Sequence, residues 1–207
     1  MSGSPTSLRD RALDDEIARL VSPGDSLLDL GCGPGDLLLR LKEEKSVREH
    51  GIEIDGSAVA EAIARGLSVV EGDLEEGLSF PGDASYDLVI INHVLPQVRD
   101  PLGLVSSALR VGKKVIVTFP NFAYWRVRLQ VFLTGRLPVT EELPYAWYDT
   151  PHIRLFTVAD FRTQCRERGW RVLEERFVSR NGNGRSRQIG STPNLRSSLA
   201  LFLLTRE

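Results

Sequence analysis

The sequence predicts a doubly wound α/β fold with a mostly parallel sheet, and two patterns in the chain indicate it. Short, nearly uninterrupted apolar runs alternate with helical segments from residue 26 onward. Strands of this kind are buried on both faces of a parallel sheet. Acidic or amide side chains stand at the ends of several runs, where ligands bind in doubly wound sheets. A chain of 207 residues suits one such domain.

The composition excludes several classes of protein. Hydrophobic residues make up 42% of the chain, and its net charge is −2. A general DNA or RNA binder is usually basic, so we expect small molecules and proteins as partners and no nucleic acid. No window resembles a membrane span and the acidic start does not resemble a signal peptide, so we expect no membrane association and a cytoplasmic location. Cys32 and Cys165 have no companions at metal-ligand spacing, so no metal is expected.

Residues 1–25 are predicted to be a tail and one helix that precede the domain. Leu13, Ile17 and Leu20 recur at helical spacing, and a Ser-Pro-Gly turn ends the pattern. This helix could pack against the sheet edge or cover a ligand. The domain itself is expected over residues 26–207.

The first strand runs into a glycine-rich turn. Residues 27–30 are apolar except for Asp29, and three glycines follow at alternate positions: Gly31, Gly33 and Gly35. Glycines let the backbone approach a ligand more closely than a Cβ would permit, and the N–H groups of a helix at residues 36–44 would face the same ligand. The dinucleotide fingerprint G-x-G-x-x-G is not matched, because position 36 is Asp. Asp29 would repel a pyrophosphate but could pair with a cationic amine.

The remaining strands are predicted over residues 50–55, 69–74, 86–92, 114–119, 171–178 and 198–204. Helices are predicted over residues 101–110 and 122–133 and from the N-cap Thr157.

Further polar residues are expected at the end of the sheet where the glycine turn lies. Glu53 lies about twenty residues beyond the glycines, where an acid can bind ribose hydroxyls. Asp73 and Asn92 stand at the ends of the next two strands. Asp55 is predicted to be a helix N-cap.

The second half of the chain contains an insertion. Residues 135–153 are rich in proline and aromatic residues and lack clear periodicity. A stretch of that length in a compact domain is usually a functional loop or lid. With the preceding helix it forms a predicted insertion, residues 122–153. A later loop, residues 179–194, carries no motif that we can interpret.

Two histidines are candidates for catalysis, each with a structural alternative. His93 follows Asn92 directly and could act as a general base, because imidazole titrates near neutral pH; it could equally pack against a ligand. His152 lies in the insertion and could be a site residue or a packed aromatic side chain. Cys32, inside the glycine turn, is interpreted as a small turn residue rather than a nucleophile.

The string DLGCGPG, residues 29–35, resembles motif I of class I S-adenosylmethionine-dependent methyltransferases. The resemblance implies a Rossmann-like sheet of seven strands, with the glycine turn around the amino-acid end of the cofactor, Glu53 at the ribose and Asp73 at the adenine. The implied cofactor is S-adenosylmethionine or S-adenosylhomocysteine. The residues implied to bind it are Asp29, Gly31, Cys32, Gly33, Gly35, Glu53, Ile54, Asp73, Leu74 and Asn92.

Longer segments resemble one family with this fold, the bacterial methionine biosynthesis protein MetW. The resemblance rests on NHVLPQVRDP at residues 92–101, RVGKKVIVTFPNFAYWRVRLQ at residues 110–130 and GRLPVTEELPYAWYDTPHIRLFTVADF at residues 135–161. MetW-like proteins are encoded with homoserine O-acyltransferase and implicated as its partner or activator, while no methyl acceptor is established.

The resemblance therefore implies a cofactor-binding accessory protein that binds the acyltransferase. The alternative is a methyltransferase that acts on an unidentified small molecule. An insertion that exposes an apolar patch would favour the partner function, whereas one folded inward as a lid would favour the enzyme.

Overall fold

A computed structural model describes residues 11–76, 83–140, 143–180 and 186–206. The strands are β1 (Ser26–Leu30), β2 (Arg48–Glu53), β3 (Val69–Glu71), β4 (Tyr86–Asn92), β5 (Gly112–Pro120), β6 (Arg171–Arg180), β7 (Ser186–Gln188) and β8 (Leu199–Thr205). The helices are α1 (Arg11–Leu20), α2 (Asp36–Lys45), α3 (Gly56–Ala64), α4 (Pro101–Val111), α5 (Trp125–Thr134), α6 (Val158–Glu167) and α7 (Pro193–Arg196). The predicted tail, residues 1–7, lies outside the described residues.

The strands form one sheet in the order β3-β2-β1-β4-β5-β8-β6-β7. The pairings from β3 to β5 are parallel, and those among β5, β8, β6 and β7 are antiparallel. The strand order reverses direction between β1 and β4. Ligands of doubly wound sheets bind at such a reversal, beyond the carboxyl ends of the strands.

Helices cover both faces of the sheet. On one face, Leu13 and Ile17 of α1 pack with Ile90 and Ile116 of the central strands in a fully buried cluster. On the other face, α4 and α6 pack against the same strands, and Phe161 joins this cluster. Because both faces are covered, the central strands are apolar along nearly their whole length, which is the pattern that predicted a parallel sheet.

An ion pair connects α1 to strand β6 of the sheet. Glu16 is buried and accepts from Arg176 of β6 and from Arg19, each at 2.5 Å. Both partners satisfy a carboxylate that would otherwise be buried without compensation. Helix α1 therefore packs over the sheet face rather than at its edge.

Both predicted helix caps are confirmed. The Asp55 carboxylate accepts from the backbone N–H groups of Ser57 and Ala58 at the start of α3. Thr157 and Asp160 form a capping box at the start of α6. Each cap satisfies N–H groups that the first helical turn leaves without a helical acceptor.

Three boundary predictions were wrong, and local hydrogen bonds explain two of them. The third predicted strand ends at Glu71 rather than residue 74, because the Asp73 carboxylate accepts from Glu75 N–H at 2.8 Å and starts a 3-10 turn. The helix predicted from residue 122 begins at Trp125, because Asn121 first closes a turn in which its carbonyl accepts from Tyr124 N–H at 3.1 Å. The second strand covers Arg48–Glu53 rather than residues 50–55.

The described residues contain eight strands where seven were predicted. The additional strand, β7, lies within residues 179–194, which were predicted to be a loop, and α7 overlaps the same range. Strand β7 consists of three polar residues at the edge of the sheet, so it has no apolar alternation that could reveal it. Within the described ranges, no helix has the length and apolar character needed to cross a membrane.

Candidate functional site

The glycine turn lies between β1 and α2, and each of its three glycines has a positive φ. A Cβ on Gly31 would lie 2.5 Å from Cγ2 of Val94, and one on Gly35 would collide with Leu67. A Cβ on Gly33, in contrast, would meet no atom within 4 Å. Gly31 and Gly35 are therefore required by packing, whereas Gly33 faces open space that a ligand could fill.

Glu53 holds the glycine turn against the end of β2. Its Oε2 accepts from Gly33 N–H at 2.8 Å, and its Oε1 accepts from Ile54 N–H at 2.9 Å and from Asp55 N–H at 3.0 Å. The backbone adds further links, because Gly31 N–H donates to the Ile52 carbonyl at 2.8 Å. Hydrogen bonds to a carboxylate are stronger than those between neutral groups. Glu53 therefore shapes the turn as well as being a candidate ligand for ribose.

Asp29 is a buried carboxylate with an unsatisfied oxygen. Only 2% of the residue is exposed, and its Oδ1 has no hydrogen-bond partner. Burial, reinforced by the negative charges of Asp14 and Glu53, raises the pKa of Asp29 to about 7. A buried acceptor without a partner is costly, and a cationic ligand group would compensate both the charge and the missing hydrogen bond. The site is thus electrostatically suited to an ammonium group.

Sequence reasoning missed Asp14, which contributes to this acidic site from α1. Asp14 is buried, and it occupies the same helical stripe as Ile17, Ala18 and Val21, which pack on the sheet. A carboxylate at a core position of an amphipathic helix was the signal that could have identified it. Because α1 brings this charge to Asp29, the helix is part of the electrostatic environment of the candidate site.

Cys32 lies inside the turn as a packed side chain. A Cβ on Gly51 of β2 would approach Cys32 Sγ to 2.5 Å, so the sulfur occupies the space that the glycine leaves. Burial raises the pKa of the Cys32 thiol to about 12, and the charges of Asp29 and Glu53 act in the same direction. The thiolate is the reactive form, so the neighbouring acids disfavour nucleophilic use.

The candidate residues of the second and third strands lie at the same end of the sheet. Glu53 is paired in register with Glu71 on β3, and Gly72 N–H donates to the Glu53 carbonyl at 3.0 Å. Asp73 follows and is exposed, as is Ile54, whereas Leu74 packs partly against the core.

The carboxyl end of β4 is organised by Thr118 of β5. Thr118 Oγ1 donates to Asn92 Oδ1 at 2.5 Å and accepts from His93 N–H at 3.0 Å. His93 has a φ of 60°, which is uncommon for a residue other than glycine. Such backbone strain occurs frequently at functional sites. Sequence reasoning missed Thr118, although it is the one polar residue in the apolar run VIVTF.

Residues 93–99, which we term the linker loop, connect this site to the insertion. The Pro96 carbonyl accepts from the N–H groups of Ile153 and Arg154 at 2.8 and 3.0 Å. Arg154 Nη2 also donates to the Arg99 carbonyl at 2.8 Å. The last part of the insertion is therefore docked on the loop that follows β4.

The linker loop also contacts both sides of the candidate cofactor site. Val94 packs closely against Gly31 of the glycine turn. Arg99 N–H donates to Glu75 Oε1 at 2.7 Å, next to Asp73. The linker loop therefore contacts the glycine turn, the 3-10 turn that follows β3 and the end of the insertion.

His152 lies in an aromatic environment. Its ring makes edge contacts with Phe122 and Tyr145, with ring centres 6.4 and 6.5 Å apart. Its backbone N–H donates to Thr150 Oγ1 at 3.1 Å. His93 and His152 are thus both near the linker loop, one at its start and one a single residue before the docked Ile153. Among the described residues, no cluster of His, Cys, Asp and Glu is arranged to hold a metal ion.

Comparison with known proteins identifies the family. The family model of the methionine biosynthesis protein MetW matches residues 11–204. The chain belongs to the MetW family. This confirms the resemblance found in the sequence.

Curated relatives extend the comparison. The MetW family chain is 32% identical over 203 residues to the bifunctional methionine biosynthesis protein MetXA/MetW of Rhodopirellula baltica, a match that covers 94% of this chain and 32% of the relative. It is 30% identical over 101 residues to the ribosomal protein L11 methyltransferase of Ralstonia nicotianae, covering 47% of this chain and 33% of that one. The chain spans about a third of the length of these curated relatives.

Solved structures establish the fold of this MetW family member. A possible histamine N-methyltransferase from Thermotoga maritima superimposes with a TM-score of 0.69 and 17% identity, covering 97% of this chain and 91% of that one. An S-adenosylmethionine-dependent methyltransferase from Mesorhizobium loti gives a TM-score of 0.68 and 18% identity, covering 99% and 100%. The predicted Rossmann-like class I methyltransferase fold is confirmed.

Proposed function

We propose that this protein binds S-adenosylmethionine or S-adenosylhomocysteine and acts as a partner and activator of homoserine O-acyltransferase in methionine biosynthesis. The observation that carries the proposal is the exposure of the insertion, residues 122–153. Several of its apolar side chains are largely in solvent, and the exposed fractions of Phe132, Trp147 and Tyr148 are 85%, 74% and 74%. Exposed apolar surface of this kind marks interaction sites.

The bifunctional relative gives independent support for the partner. Its name, MetXA/MetW, describes one polypeptide that contains both functions, and the match to this chain covers only 32% of it. Two proteins that are fused in one organism are held close together there. We infer that the separate chain associates with the corresponding acyltransferase.

The cofactor proposal rests on the fit of the glycine turn and its acids. The orphan Oδ1 of buried Asp29 suits a cationic ammonium group, and the open space beside Gly33 admits a ligand against the backbone. Glu53 and Asp73 would hold the ribose and the adenine, with Ile54 and Leu74 beside them. Gly31, Cys32 and Gly35 would shape the turn, and Asn92 would lie near the transferable methyl group. The cofactor supplies an already activated methyl group.

A link between the two functions follows from the linker loop. It contacts Gly31 on one side and, on the other, binds Ile153 at the end of the insertion and the adjacent Arg154. We infer that cofactor binding biases the position of the insertion, so that the protein reports cofactor status to methionine synthesis. Such coupling acts equally in both directions.

The alternative function is methyl transfer to a small molecule, and the backbone at His93 favours it. This residue combines a positive φ with a location at the carboxyl end of β4, where a general base would be needed. His152 and its aromatic neighbours would then form part of an acceptor lid.

The first test is the rate of purified homoserine O-acyltransferase from the same organism. We expect the rate to rise when this protein is added at an equal concentration with S-adenosylmethionine held constant, whereas an equal concentration of serum albumin has no effect. An unchanged rate, with no co-elution of the two proteins, would contradict the partner function. Release of S-adenosylhomocysteine in the presence of candidate acceptors would then identify the alternative.

A further inference from the structure

Helix α5 presents an apolar stripe to solvent. Trp125, Leu129, Phe132 and Leu133 follow the spacing i, i+4, i+7 and i+8, so they lie on one side of the helix. All four are exposed, and the exposed fractions of Phe132 and Leu133 reach 85% and 69%. A helix normally turns its apolar stripe toward the core. In α5 the stripe faces outward.

The other side of α5 anchors the helix to the protein. Val127 is buried and packs with Tyr124 and Leu143, and Tyr124 OH lies 3.2 Å from Ser179 Oγ on β6. Arg128 Nε donates to the Ala123 carbonyl at 2.6 Å and secures the start of the helix. The stripe is therefore exposed on an anchored helix, which lowers the ordering cost of binding a partner.

The segment that carries the stripe is positively charged. Arg126, Arg128 and Arg136 lie on or next to α5, and residues 121–139 contain no acidic side chain. With 100° per residue, Arg126 and Arg128 fall on opposite sides of the stripe. The complementary surface would be an apolar groove with an acidic rim, since matched potentials favour association.

We propose that the outward stripe of α5, formed by Trp125, Leu129, Phe132 and Leu133 between Arg126 and Arg128, is the surface that inserts into an acid-rimmed apolar groove of the acyltransferase. This inference rests on the proposed partner function and assigns its location. The bifunctional relative indicates the occupant, because there the two proteins are parts of one chain. A second copy of this protein is disfavoured, because a symmetric contact would place the arginine-rich surface against itself.

The test compares two double variants of the full chain for binding to purified homoserine O-acyltransferase. Phe132→Ser with Leu133→Ser removes the two most exposed side chains of the stripe. Ile63→Ser with Val70→Ser removes two apolar side chains that are also more than half exposed, at 54% and 58%, near the opposite edge of the sheet. We expect the α5 variant to raise the dissociation constant by at least about tenfold. The control should match the wild type, and both variants should keep their thermal midpoints.

A charge variant tests the predicted groove. Arg126→Glu should weaken binding and remove part of its salt dependence, because the acidic rim would then face a like charge. Unchanged binding of this variant would overturn the predicted acidic rim.

The outcomes separate this inference from the proposed function. If the wild-type protein does not bind the acyltransferase, the partner function itself fails. If it binds and the α5 double variant binds equally well, the partner function stands but the docking surface is wrong. Variant-sensitive self-association in the ultracentrifuge, or variant-sensitive binding to phosphatidylserine vesicles, with acyltransferase binding unchanged, would overturn the proposal in favour of that occupant.

Discussion

Replacing Glu53 with alanine should weaken S-adenosylmethionine binding by about 2 kcal/mol or more, or roughly thirtyfold. The carboxylate accepts three backbone N–H groups, from Gly33, Ile54 and Asp55, so its loss weakens the attachment of the glycine turn to β2. It also removes the proposed acceptor for the ribose hydroxyls. Titration calorimetry of the folded variant measures the combined effect.

Glu61→Ala is the matched control for this prediction. Glu61 is an exposed acid on α3, 4.0 Å from Arg65, and its removal should leave the affinity unchanged. Glu53→Gln should fall between alanine and the wild type, because its amide replaces one acceptor oxygen with a donor that faces backbone N–H groups. Unchanged affinity of a folded Glu53→Ala protein would remove Glu53 from the site.

Replacing Asp29 with asparagine should stabilise the cofactor-free protein relative to the wild type, and this gain should increase as the pH rises. In the folded protein the pKa of Asp29 is about 7 rather than 3.8, so this carboxyl keeps its proton between these pH values while the unfolded chain has lost it. The contribution of Asp29 to the free energy of unfolding of the wild type therefore falls between about pH 4 and pH 7. Asparagine removes this dependence, so the variant should gain about 4 kcal/mol relative to the wild type above pH 7 and almost nothing near pH 4. Chemical denaturation at several pH values measures the difference.

The same substitution should weaken cofactor binding at least about tenfold, because a neutral amide cannot pair with the ammonium group. Higher stability together with lower affinity excludes misfolding as the cause. Asp15→Asn, which removes an exposed carboxylate from α1, should keep both the wild-type pH dependence and the wild-type affinity. If the stability of the Asp29→Asn protein has the pH dependence of the wild type, the raised pKa of Asp29 is contradicted. If its cofactor affinity is unchanged, Asp29 is excluded as a ligand.

The sequence predicted the structure well where neighbouring residues determine the local backbone. The three glycines between β1 and α2 adopt positive φ, two of them have no room for a Cβ, and the third faces open space. The alternation of glycines at residues 31, 33 and 35 indicated such a turn. The caps at Asp55 and Thr157 were likewise predictable, because capping depends on side chains within three residues.

Features that depend on distant packing were not predictable. The carboxylate of Asp14 reaches the environment of Asp29 only because α1 folds over the sheet face. Thr118 organises Asn92 and His93 through the register of β4 with β5. Strand β7 exists because its backbone pairs with β6, and its polar residues give no pattern.

The most direct test of the whole account is the dissociation constant of S-adenosylmethionine, measured with and without saturating homoserine O-acyltransferase. In our proposal, one chain carries a cofactor site and a partner surface, and the linker loop connects them. We therefore expect the acyltransferase to change cofactor affinity by about fivefold or more, and the cofactor to change acyltransferase affinity by the same factor. Equal cofactor dissociation constants in the presence and absence of bound acyltransferase would contradict it.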